Sequence, residues 1–103
     1  MKKTFQLVHP KIKPARLIEA VRRDVKKYIK REKRKSLPEG VDYWDFDCKY
    51  GPTEAKAEII LTSEISKCIS EAEAENLESF YLEILAKPGY KKNPKTFETL
   101  DKN

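Results

Sequence analysis

Leu77-Glu78-Ser79-Phe80-Tyr81-Leu82-Glu83-Ile84-Leu85-Ala86-Lys87 reads two ways, and the fold turns on which one holds. At three- and four-residue steps, Leu77, Phe80, Tyr81, Ile84 and Leu85 line one stripe of a helix. At two-residue steps, Phe80, Leu82, Ile84 and Ala86 line one face of a strand. Phe-Tyr-Leu-Glu-Ile-Leu suits a pleated, half-buried surface, which favours the strand, and Pro88-Gly89 ends it. A helix here would instead leave a three-stranded sheet with one long second helix.

Working outward, Val41 to Tyr50 alternates cleanly, with Trp44, Phe46, Cys48 and Tyr50 on one face and Tyr43, Asp45, Asp47 and Lys49 on the other. Gly51-Pro52 makes a tight connection into a second alternating run, Ala55 to Thr62. There Ala55, Ala57, Ile59 and Leu61 are expected inward, and Lys56, Glu58, Ile60 and Thr62 outward. Ser63 is the expected N-cap of a helix whose buried stripe is Ile65, Cys68, Ile69 and Ala72. Asn76 can end that helix in the left-handed conformation.

Upstream, Lys3 to Val8 is a short strand with Phe5 and Leu7 on one face. A stiff loop with two prolines, His9 to Pro14, leads into a long amphipathic helix over Pro14 to Lys35. Leu17, Ile18, Val21, Val25, Tyr28 and Ile29 form its apolar stripe. The order is then β-α-β-β-α-β: an α+β, ferredoxin-like split arrangement, with a four-stranded antiparallel sheet and two helices on one face. Residues 1–89 are expected to form a single domain. Residues 90–103 are expected to form a basic, loose tail, pinned if at all by Phe97 or Leu100.

A resemblance accompanies this pattern. An early K-T-F strand (Lys3-Thr4-Phe5), a helix running into K-x-Y-I-K-R-E-K-R-K, then L-P-E-G-V-D-Y-W-D-F-D-C and F-Y-L-E-I-L-A-K-P-G together resemble a family of small uncharacterised bacterial proteins. The similarity covers residues 2–89, and Trp44-Asp45-Phe46-Asp47-Cys48 is its most distinctive part. The resemblance implies a bacterial, cytoplasmic protein and carries no assigned activity and no site residues.

The net charge of +5 conceals a partition. Residues 1–35 hold 14 Lys/Arg against 3 Asp/Glu, residues 36–86 hold 3 against 12, and residues 87–103 hold 5 against 2. Such asymmetry suits a polyanion, or the acidic surface of another chain. No run reaches the length of a membrane span, and Phe5 to Val8 is too short for the apolar core of a signal peptide. Two cysteines without an export signal read as reduced thiols, so the expected compartment is the cytoplasm, with no membrane partner.

Four sets of residues could carry function. Lys26, Lys27, Lys30, Arg31, Lys33, Arg34 and Lys35 crowd one helix and are the expected contacts to RNA or DNA phosphates. The open sheet face is expected to show Tyr43, Asp45, Asp47, Ile60, Tyr81 and Leu85. It is read as acidic and partly apolar, and suited to self-association as a homodimer or to binding another protein. On that face Asp45, Asp47, Glu58 and Glu83 could converge on a hard cation, but solvated carboxylates are the plainer reading and no metal is assigned. His9, Lys11, Lys13 and Arg16 could form a small-anion pocket at the start of the long helix, although the glycine-rich loop of known phosphate motifs is missing. Cys48 and Cys68 sit on core-facing stripes at no zinc spacing. No nucleophile lies in an activating context, so no catalytic residue and no cofactor are expected, and the chain reads as a non-enzymatic binding module.

Overall fold

The computed structural model describes residues 1–91 of the 103. The expectations for residues 92–103 of the tail, Phe97 and Leu100 included, lie outside the described residues; at its start, the Lys91 N–H donates to Asp42 Oδ2 at 2.8 Å. Four strands, β1 (Lys2–Gln6), β2 (Tyr43–Gly51), β3 (Glu58–Ile60) and β4 (Ser79–Gly89), form one sheet in the order β1-β4-β2-β3. Two helices, α1 (Pro14–Lys33) and α2 (Ile65–Ala74), connect them, with a 3-10 turn at Thr62–Glu64 leading into α2. Every strand pair is antiparallel. Both crossovers are split: β4 lies between β1 and β2, and β2 lies between β3 and β4.

The ambiguous stretch is a strand, and it is the centre of the sheet. Its even-numbered residues Phe80, Leu82 and Ile84 are each 0% exposed and touch both helices' layer. Phe80 stacks against Phe5 at 5.5 Å between ring centroids and meets Tyr50 at 5.6 Å. Burying one such aromatic contributes about 1.5–3 kcal/mol. A helix would have turned half of these side chains to water, so burial against two neighbouring strands decides the period.

The helices cover the face made by Phe5, Phe46, Cys48, Phe80, Leu82 and Ile84, contributing Ile18, Val21 and Val25 from α1 and Ile65, Ile69 and Ala72 from α2. Arg22 clamps the two helices together, donating to Ser66 Oγ at 2.8 Å and to Ser70 Oγ at 2.6 Å. Asn76 ends α2 with φ 54, the left-handed residue expected there. Ser63 does not cap it. The 3-10 turn intervenes, and the carboxylate of Glu64 accepts the Leu61 N–H at 2.8 Å.

Three expectations about the hairpin change. β3 starts at Glu58 rather than Ala55, because the connection takes up Ala55 and Ala57. Its phase is the reverse of the expected one: Ile60 pairs with Cys48 and turns to the helices, while Ile59 pairs with Lys49 and stands 82% exposed on the open face. The two alanines bury little surface, so they could not set the phase that the sequence pattern suggested. Lastly, the connection folds back over the open face. A Cβ at Gly51 would lie 2.7 Å from Ala57 Cα, so only glycine admits this approach.

Candidate nucleic-acid interface

α1 is half core and half cation. Counted at 100° per residue from its buried centre at Val25, Arg16, Arg23, Lys27, Lys30 and Arg34 fall within an arc of about 60° pointing directly away from the sheet. All five are exposed. Lys26 and Lys33 lie on the flank toward α2, and Arg31 lies on the opposite flank. Lys26 borders a groove of about 160 Å³ between the helices, with Arg22, Thr62 and Ser66 as its other polar lining. Basic residues in the last turn also complement the helix dipole.

Of the seven expected phosphate contacts, two have partners within the chain. Lys35 Nζ lies 2.6 Å from Glu32 Oε2, and this ammonium holds the Glu32 carboxyl below its ordinary value. Arg31 stacks over the Tyr28 ring at 5.9 Å. Lys26, Lys27, Lys30, Lys33 and Arg34 make no ion pair among the described residues. Arg23, outside the expected set, belongs to the same outer stripe, as does Arg16, which sequence reading grouped with His9. Projection on a helical wheel finds both.

The W-D-F-D-C strand supports this helix from below. The Trp44 indole N–H donates to the Lys35 carbonyl at 2.9 Å, tying the end of the basic segment to β2. Phe46 and Cys48 enter the core. Asp45 Oδ1 accepts the Phe46 N–H at 2.8 Å, and Asp47 pairs with Lys87 at 2.6 Å. Both cysteines are buried and free, and burial pushes both thiols up.

The open sheet face is not acidic. Ile59, Lys49, Glu83 and Lys2 form one row across all four strands, and Asp45 stands opposite Lys87. Lys2, Lys49 and Lys87 therefore balance Asp45, Asp47 and Glu83, and the expected acidic character fails on the cross-strand pairing. Ile60, expected here, faces the helices instead. Tyr81 is only 4% exposed, beside the folded-back connection, and donates to Glu83 Oε1 at 2.7 Å. Tyr43 and Leu85 remain on this face at 41% and 38% exposure. Glu58 and Lys56 also leave the face. They line a cleft of about 450 Å³ against α2 with Tyr50, Glu64, Lys67, Cys68 and Glu71. In that cleft burial first, and then Glu71 and Glu64, keep the Cys68 thiol protonated, which is the wrong direction for a nucleophile.

Near the start of α1, His9 Nδ1 accepts the Lys11 backbone N–H at 3.0 Å, so the ring is held in its own loop. Lys11, Lys13 and Arg16 are exposed around it, with Arg16 on the outer stripe of α1. No group of three or more His, Cys, Asp or Glu side chains is gathered for a metal among the described residues, and no described helix is long and apolar enough to cross a membrane.

The profile of a family of unknown function (DUF6172) matches residues 1–95. No curated protein and no solved structure matches the chain.

Proposed function

We propose, for a chain that belongs to the DUF6172 family and takes no assigned activity from it, a non-enzymatic module that binds nucleic acid, free or in a ribonucleoprotein, through the outer face of α1. One observation carries the reading: the exposed cations Arg16, Arg23, Lys27, Lys30 and Arg34, without an ion pair among the described residues, share one stripe of a helix whose other side is anchored in the core. A rigid helix holds the charge-bearing backbone in place, so little backbone ordering is needed before phosphates are met. The role of these residues is to neutralise phosphates without reading sequence.

The salt dependence of binding tests it. A labelled, mixed-sequence nucleic acid should bind with a log–log salt slope of about 0.9 per phosphate neutralised, so about four to five for five contacts. Lys27→Glu/Lys30→Glu/Arg34→Glu should remove most of that slope while leaving the thermal melt of the fold in place, because all three side chains point into solvent. Undiminished binding by this variant, or no binding by the natural sequence even at low salt, would falsify the reading.

A further inference from the structure

We infer, building on that reading, that the nucleic acid is a B-form DNA duplex, with α1 seated in its major groove. The cations of α1 do more than form a stripe. From residue 22 to residue 35, each exposed position except Asp24 is Lys or Arg. Lys33 and Lys26 on one flank, Lys30, Arg23, Arg34 and Lys27 at the crest, and Arg31 on the other flank span an arc of about 160°. A single strand laid along the helix needs only the crest. Charge on the α2 flank as well as the crest, with Arg31 over Tyr28 and beside Asp24 on the far flank, is more than a single strand along the crest needs and matches a groove whose wall rises on the α2 side.

The surroundings of α1 agree. On its α2 side the flank meets Thr62, Ser66 and the N-terminal turns of α2, which offer hydroxyls and the positive end of a helix dipole to a phosphate. Glu64 and Glu71 turn to the far cleft with Lys56 and Glu58, and Glu73 borders the groove at the start of α1 beside Pro14 and Ile18, one end away from residues 22–35. Thus the α2 flank can accept a groove wall.

Groove dimensions then choose the polymer. A helix with its side chains is about 10–12 Å across, and the major groove of B-form DNA is about 12 Å wide. The major groove of A-form RNA is deep and too narrow for a helix. Single strands are bound through exposed aromatic platforms, and this arc has none. Tyr28 is half-buried beneath Arg31, and the Trp44 indole is engaged by the Lys35 carbonyl.

The full chain should be titrated at one salt concentration with a mixed-sequence DNA duplex, the RNA duplex of the same sequence, and the single DNA strand. The duplex complex should then be footprinted with dimethyl sulfate, which methylates guanine N7 in the major groove. The DNA duplex should bind at least about 10-fold more tightly than the RNA duplex, and guanine N7 should be protected. Equal or tighter binding of the RNA duplex or the single strand overturns the inference while sparing the nucleic-acid reading. Tight binding of the DNA duplex with N7 left fully reactive overturns it too. Failure to bind any of the three overturns both.

Discussion

Tyr81 illustrates how one side chain can pass from expected surface to near-complete burial. Its hydroxyl donates to Glu83, and that bond, followed by burial and the Glu83 charge, pushes its pKa up to about 12 from 10.0. A raised value means the protonated phenol is favoured by the fold. This contribution is therefore fully present below pH 10 and is lost as pH climbs through about 12. In denaturant melts from pH 9 upward, Tyr81→Phe should start less stable than the natural sequence, and the gap should close through that window. A gap independent of pH would contradict the assignment. Phe80 makes a simpler case: fully buried and stacked on Phe5, its replacement by Ala should cost about 3–5 kcal/mol of unfolding free energy. Cys48, 1% exposed and held protonated, should react with a thiol reagent only as fast as the protein opens, and immediately in denaturant, while Cys68, in the wall of the α2 cleft, should react ahead of it.

Elements were legible where large side chains set the period. Phe5 and Leu7, the α1 stripe, Trp44 to Tyr50 and Phe80 to Ile84 each carry enough apolar surface to fix their own face, and the structure places them as the sequence suggests. β3 was not legible, because Ala55 and Ala57 offer almost nothing to bury and the real phase rests on Ile60 alone meeting the core. The charge balance of the open face was hidden for a related reason. It depends on cross-strand register, which pairs Glu83 with both Lys2 and Lys49 and which no single segment reveals. For the candidate site, sequence found the cationic helix but not which cations share its outer face. Two of the seven were spent within the chain, and Arg16 and Arg23 joined the stripe. At this scale the hairpin is tested by Gly51→Ala, whose Cβ collides with the Ala57 backbone. The variant should lose about 1–3 kcal/mol, as overpacked sites do. Its tyrosine titration near pH 12 should move down toward the ordinary value as the connection lifts from Tyr81.

Across the whole molecule, charge is sorted by element rather than scattered. α1 carries the cations outward, α2 and the β3 cleft gather carboxylates, and the open sheet face is close to neutral. That sorting gives a polyanion one preferred side of approach, and steering by such a field raises association rates most at low salt. The alternative of self-association through the open face has lost its acidic character and two of its expected apolar members, Ile60 and Tyr81, while Ile59 now stands there. The most direct test of where binding occurs is an amide chemical-shift titration of the full chain with a DNA duplex. The account predicts shifts concentrated over residues 22–35 and the start of α2, with Lys49, Ile59 and Glu83 unmoved. Shifts centred on those three residues, with α1 silent, would contradict it and move the function to the open face of the sheet.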